Sequence, residues 1–129
     1  MERAGARRYT KDHTWVTSDG KRARIGLSDF AQSELGEIAY VELPALGRRV
    51  ARGDVVATVD SLKSSSEVYA PVSGVVVEVN SHLAEQENAS VVNRDPLGEG
   101  WLVVIELDDP GELGSLLAEE EYTAYTSGA

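Results

Sequence analysis

The chain has 129 residues, a formal net charge of −10, 42% hydrophobic and 26% charged residues, and no cysteine. These values suit one globular domain with one modest core and argue against global disorder. Without a thiol there is no disulfide, cysteine metal site or thiol nucleophile, so redox chemistry would have to come from an attached or bound group.

The charge is unevenly placed. Residues 1–80 carry eleven acidic against eleven basic side chains, whereas residues 81–129 carry eleven acidic ones against Arg94 alone. An acidic second part disfavours nucleic acid. It steers the chain toward basic partners, or it only keeps the chain in solution. The opening MERAGARRYTK holds arginines but no apolar stretch, so no secretory signal is expected. No apolar run approaches membrane-spanning length. With no need for disulfides, the expectation is a cytoplasmic protein.

Along the chain, TWVTSDGKRARIGLS reads as a hairpin, with Asp19-Gly20 supplying the positive-φ positions of a tight turn. SDFAQSELG reads as a short helix: Ser28 caps it, Asp29 suits its N-terminal dipole, and Gly36 ends it in the left-handed region. EIAYVELP reads as a strand that stops before Pro44. A dense strand region follows. GRRVARGDVVATVD turns at Arg52-Gly53-Asp54 and then places Val55, Ala57 and Val59 on one face. SEVYAPVSGVVVEVN turns between Pro71 and Gly74 and then places Val75, Val77 and Val79 on one face. NSHLAEQEN reads as a brief helical turn and GWLVVIEL as another strand. The tail reads as helical, with Asp109 as cap, Pro110 in the first position and Glu112 in the first turn. Leu113, Leu116 and Leu117 share one of its faces, and Tyr122 and Tyr125 another. Short, evenly punctuated strands with a few peripheral helices make a mostly β (α+β) fold, a sandwich or small barrel.

Between the strands ending near Val59 and beginning near Glu67 lies SLKSSS. Lys63 is the sole Lys or Arg from Gly53 to Asn93. A hairpin tip is its natural place, and Leu62 beside it either packs under the tip or meets a partner. Three uses of the amine are open. It solubilises the tip and blocks edge pairing. It acts as a Schiff-base or general-base lysine, which needs a desolvated pocket or a cationic neighbour that a serine-rich tip does not offer. Or it is the attachment point of a covalent cofactor, which needs an exposed amine on a rigid hairpin.

The segments IGLSDFAQSELGEIAYVELP, DSLKSSSEVYAPVSGVVVEVN and NRDPLGEGWLVVIEL stand in one order, between YTKDHTWV near the start and EEEYTAY near the end. On these residues the chain resembles the H proteins of the glycine cleavage system, a family of lipoyl carriers. The resemblance covers nearly the whole chain. It implies a single lipoyl-carrier domain over 1–129, with a C-terminal helical segment at about 109–126. It implies a barrel-sandwich hybrid, as in lipoyl and biotinyl carriers, with Lys63 as the lipoyl-lysine. Asp60 stands where the family usually has Glu, a position implied to be read by lipoylating enzymes, and the shorter carboxylate is expected to be tolerated. Biotin is the rival cofactor, but biotin carriers flank their lysine with methionines, and here the neighbours are Leu62 and Ser64.

The implied partners are glycine decarboxylase (the P protein), an aminomethyltransferase (the T protein), dihydrolipoyl dehydrogenase (the L protein) and lipoylating enzymes. The chain would be a monomeric carrier and a shared substrate of these enzymes, with no catalytic residue of its own. In the family the loaded arm folds into a shielding surface cleft. Two positions depart from the pattern: Thr14 where Glu is usual, and Phe30 where His is common. Glu67 retains a carboxylate and is expected to be the main partner of the aminomethyl ammonium. Phe30 reads equally as a core-facing helix residue, and Thr14 as an ordinary strand residue. His13 is expected beside Trp15. His13 and His82 lack metal-ligand spacing, so no metal site is expected. These departures keep two alternatives open: an H-like lipoate carrier for lipoate relay or sulfur metabolism, and an interaction module with an unmodified tip.

Overall fold

Alternating apolar residues give each strand one greasy face, and the inward faces of two sheets meet over a shared core. The computed structural model describes residues 7–127; residues 1–6, where no signal peptide is expected, lie outside that range. Its strands are β1 (Arg8–Tyr9), β2 (Thr14–Ser18), β3 (Arg22–Leu27), β4 (Ile38–Glu42), β5 (Arg49–Val50), β6 (Val55–Ser61), β7 (Ser65–Tyr69), β8 (Gly74–Val79), β9 (Val103–Leu107) and β10 (Leu117–Ala118). The helices are α1 (Asp29–Leu35), α2 (Val91–Arg94) and α3 (Glu119–Ser127), with 3-10 turns at Ser81–Ala84, Gln86–Asn88 and Pro110–Ser115.

One sheet runs β10-β1-β2-β3-β9-β8-β5 and the other β4-β6-β7. Val16, Ile25, Val76 and Ile105 from the first face Ile38, Val41, Val56, Val59 and Val68 from the second, all nearly fully buried in one cluster. This is the expected barrel-sandwich arrangement. A smaller cluster of Tyr9, Trp15 and Tyr122 lies under the C-terminal segment. Trp15 donates from its indole nitrogen to the Pro96 carbonyl at 2.8 Å. Its ring fills the space where a side chain at Gly26 would sit.

Several local expectations are corrected. In the Asp19-Gly20 turn only Gly20 has positive φ. Asp19 contributes its carboxylate instead, accepting from the Lys21 and Arg22 amides at 2.9 Å each. Ser28 does cap α1, accepting from the Ala31 amide. Gly36 ends the helix with φ 80° and ψ −157°, which is outside the left-handed helical well and open to glycine alone.

A register shift between Val55 and Ala57 turns Val56 and Ala57 both inward and leaves Val55 half-buried. In β8, Gly74 and Val76 face the core while Val75 and Val77 are half-buried, and a second shift after Val76 then lets Val79 pack on the core as well. A strict period-2 reading misses such bulges because one extra residue flips the faces.

The tail at about 109–126 is not one helix. Asp109 caps a 3-10 turn by accepting from the Gly111 amide, β10 then pairs with β1, and α3 follows. The break sends Leu116 into the main core and Leu117 against the Tyr9–Tyr122 cluster. Pairing with β1 recruits Leu117 and Ala118 as a strand, a tertiary demand that overrides helical spacing.

Candidate functional site

Antiparallel pairing of β6 with β7 places Asp60 opposite Ser65, leaving Ser61 to Ser64 as the turn. The Ser61 amide donates to the Ser64 carbonyl at 2.8 Å. The Ser61 hydroxyl donates to that same carbonyl and accepts from the Lys63 and Ser64 amides. A serine side chain thus ties the turn that a glycine pair closes elsewhere. Among the described residues His13 is the one non-glycine with positive φ, so Leu62 and Lys63 sit at the tip without that strain.

Lys63 is exposed, and Leu62 beside it is 72% exposed. The side chain of Leu62 therefore does not pack under the tip. Its amide donates to the Glu37 carbonyl at 3.1 Å, fastening the tip to the α1–β4 junction. The stem of Lys63 passes that junction, with Cε 3.6 Å from where a Cβ at Gly36 would be. An exposed amine suits acylation. No dehydrated pocket surrounds it of the kind a Schiff-base lysine requires.

Cross-strand registry builds the outer face below the lysine. Tyr40, Asp60 and Ser65 form one row, and Glu42, Thr58 and Glu67 the next. Asp60 accepts from the Ser65 hydroxyl. Glu67 is exposed and accepts from the Tyr69 phenol at 3.1 Å. That bond and the carboxylate charge push the Tyr69 phenol above its ordinary range, and Asp12 adds to the effect. Acidic side chains on the face below Lys63 thus come from all three strands, Glu42 from β4, Asp60 from β6 and Glu67 from β7, and Glu37 stands exposed at the junction that fastens the tip.

Beyond Glu67 the surface opens into a recess of about 300 Å³. Tyr9, Asp12, Tyr69, Pro71, Leu116 and Leu117 contribute to its walls, with Lys11 and Arg52 also lining it. At a strand rise of about 3.3 Å per residue, Glu67 lies roughly 13 Å along the hairpin from Lys63.

Thr14 and Phe30 sit elsewhere. Thr14 is 1% exposed in β2, with its amide bonded to the Thr10 hydroxyl. Phe30 is 37% exposed, so it is not the core residue its helix position allows. Its ring lies 4.8 Å from that of His13, which also contacts Tyr122, so His13 serves this aromatic group while Trp15 packs on Gly26. The structure therefore groups Lys63, Asp60 and Glu67 on one hairpin and places Thr14 and Phe30 apart from that row.

Sequence reasoning missed Tyr69 and Asp12. Tyr69 had a signal, since two residues past Glu67 on a strand means the same face. Asp12 had none, because only the fold brings residues 12 and 69 together.

Comparison with known proteins gives one consistent result. The family model described as "Glycine cleavage H-protein" matches residues 7–128. The chain is 45% identical over 119 residues to "Glycine cleavage system H protein" of Thermotoga maritima, covering 92% of this chain and 94% of that one. It is 49% identical over 118 residues to the protein of the same name from Methylocella silvestris, covering 92% and 93%. Among solved structures it is similar to the crystal structure of a glycine cleavage system H protein from Mycobacterium marinum. The TM-score is 0.84 at 34% identity, covering 97% of this chain and 98% of that one.

Proposed function

We infer the role of this chain from one premise: it belongs to the glycine cleavage H-protein family. It is a lipoyl carrier of the glycine cleavage system and not a catalyst. It shuttles an aminomethyl group and reducing equivalents between the decarboxylase, the aminomethyltransferase and dihydrolipoyl dehydrogenase, and lipoylating enzymes load it.

Lys63 is the attachment residue in this proposal. The observation that carries it is an exposed amine held on a doubly tied turn. The residues fit the group: Lys63 is exposed at an open tip, and the position its stem passes is glycine. Lipoate supplies a dithiolane that accepts the one-carbon unit and is reduced in doing so. Acylation removes the charge of Lys63 and leaves Glu42, Asp60 and Glu67 on the face that partners meet. Asp60, fixed by Ser65, is the carboxylate that lipoylating enzymes read. Weak, fast, salt-sensitive docking to basic enzyme entrances follows.

Glu67 and Asp12 offer negative charge to the ammonium of the loaded arm, and the recess beyond Tyr69 is where that arm is shielded. The arm of about eleven bonds from Cα to the dithiolane spans the distance to Glu67. Tyr69 holds Glu67 in place, and Tyr9, Pro71, Leu116 and Leu117 exclude water, which limits hydrolysis. Thr14 is buried and Phe30 packs on His13, and neither lines this recess.

No described helix is long and apolar enough to cross a membrane. Cytoplasmic residence as a monomer, with residues 1–129 forming one carrier domain, is part of the same proposal.

The test is intact-mass analysis after incubation with lipoate, ATP and a lipoate–protein ligase. Wild type gains one lipoyl group and Lys63→Arg gains none; modification of the arginine variant would refute the assignment. Glycine–bicarbonate exchange with the decarboxylase component separates glycine cleavage from lipoate relay or sulfur metabolism.

A further inference from the structure

The geometry points to Asn93 as the positioning residue of the lysine hairpin, a role that rests on Lys63 being the attachment site. Asn93 lies on α2, a single helical turn anchored by the fully buried Val92. Its amide uses three hydrogen bonds on one short stretch of chain. Nδ2 donates to the Gln32 side-chain oxygen at 3.0 Å and to the Gly36 carbonyl at 2.8 Å. Oδ1 accepts from the Ile38 amide at 2.8 Å. One side chain therefore pins both flanks of Gly36-Glu37-Ile38.

That tripeptide is the seat of the tip. The Glu37 carbonyl, between the two pinned residues, accepts from the Leu62 amide at 3.1 Å. Gly36 lies against the stem of Lys63, 3.6 Å from Cε to its would-be Cβ. Ile38 opens β4 and pairs with Ser61, the first residue of the turn. β4 is an edge strand, so the Ile38 amide bonded to Asn93 has no further strand to satisfy it. The Gly36 amide keeps its bond to the Gln32 carbonyl, but its carbonyl lies past the helix end and takes its donor from Asn93.

The consequence is chemical. During loading, the Lys63 amine attacks the carbonyl of lipoyl-adenylate, an amide forms, AMP leaves, and the amine nitrogen gives up a proton. The ligase grips the tip from outside, so the attitude of the tip relative to the rest of the domain decides whether the amine meets the acyl carbon. Small misplacements in such a step are expensive in rate. Asn93 touches neither Lys63 nor the lipoyl group; it fixes the floor on which they stand.

The experiment compares Asn93→Ala with Asn80→Ala. Asn80 is a similar staple away from the tip, donating to the Glu99 and Trp101 carbonyls at 2.8 Å each. Two quantities are read: kcat/KM for lipoylation with lipoate, ATP and ligase, and amide hydrogen exchange at Leu62. For Asn93→Ala, kcat/KM is expected to fall about tenfold and Leu62 exchange to quicken about tenfold. Asn80→Ala should lower the melting temperature similarly and change neither. Equal effects of the two variants on both readouts would reduce Asn93 to a general stabiliser and overturn the inference. If Asn93→Ala does not fold, Asn93→Asp, which keeps the acceptor for Ile38, carries the same comparison. Wild type that accepts no lipoate at Lys63 refutes the attachment reading, whereas unchanged Leu62 exchange in the Asn93 variant refutes the positioning role by itself.

Discussion

The Tyr122 hydroxyl lies 2.7 Å from Nδ1 of His13, a hydrogen bond joining residues 109 apart in sequence. The same hydroxyl is 2.7 Å from the hydroxyl of Ser28, the cap of α1. The Tyr122 ring stacks on Tyr9 at 4.3 Å. One phenol thus links α3 to the start of β2 and to the helix whose far end supports the lysine hairpin.

Tyr122→Phe keeps the stack and removes both hydrogen bonds. Urea unfolding is expected to show a loss of about 1–2 kcal/mol. An unchanged midpoint would mean that water satisfies His13 and Ser28 equally well.

His13 gives stability a pH dependence. Burial pushes its imidazole below the ordinary value of 6.5, while Asp12 and Glu34 pull it back up. Lys11, whose ammonium lies over Tyr125, and the rings of Phe30, Tyr122 and Tyr125 complete its surroundings. A depressed base binds fewer protons folded than unfolded, so stability is full above about pH 6.5 and falls as pH drops toward the folded value. The melting temperature should therefore be flat above about pH 7 and decline as the pH falls below about 6.5. His13→Asn, which tolerates the φ of 69°, should flatten that decline. A decline of equal slope in the variant would assign it to other groups.

Glu67→Gln removes the carboxylate that raises the Tyr69 phenol. Ultraviolet titration is expected to show that phenol ionising at lower pH than in wild type. The aminomethyl-loaded protein should also release its cargo faster; an unchanged lifetime would remove Glu67 from the shielding role.

Gly74→Ala tests the close antiparallel pairing of β8 with β9. A Cβ there would lie 1.9 Å from the Glu106 carbonyl oxygen, a backbone atom that cannot step aside. A loss on the order of 3 kcal/mol is expected from thermal unfolding. A stable variant would show that the strands separate at little cost.

Much of the local structure is legible from spacing alone. The Asp19-Gly20 hairpin, the Ser28 cap and the lysine between two apolar strands all follow from residue chemistry over a few positions. The bulges at Val56 and after Val76 do not, because a strand reveals an extra residue only against its partner. Nor does β10: Leu116 and Leu117 carry helical spacing, and only the edge of β1 turns Leu117 and Ala118 into strand.

The candidate site divides the same way. Lys63, Asp60 and Glu67 belong to one hairpin, so their offsets of three and four residues already place them together. Asp12, Gly36, Asn93 and Tyr122 join them across long stretches of chain, and no local pattern announces it. Sequence by itself determined which amine is presented and what surrounds it along the strand, since side-chain alternation is a property of the backbone. Tertiary structure alone decided what holds that amine in place, because the bonds by which Asn93 donates to the Gly36 carbonyl and accepts from the Ile38 amide exist only after the core has brought them together.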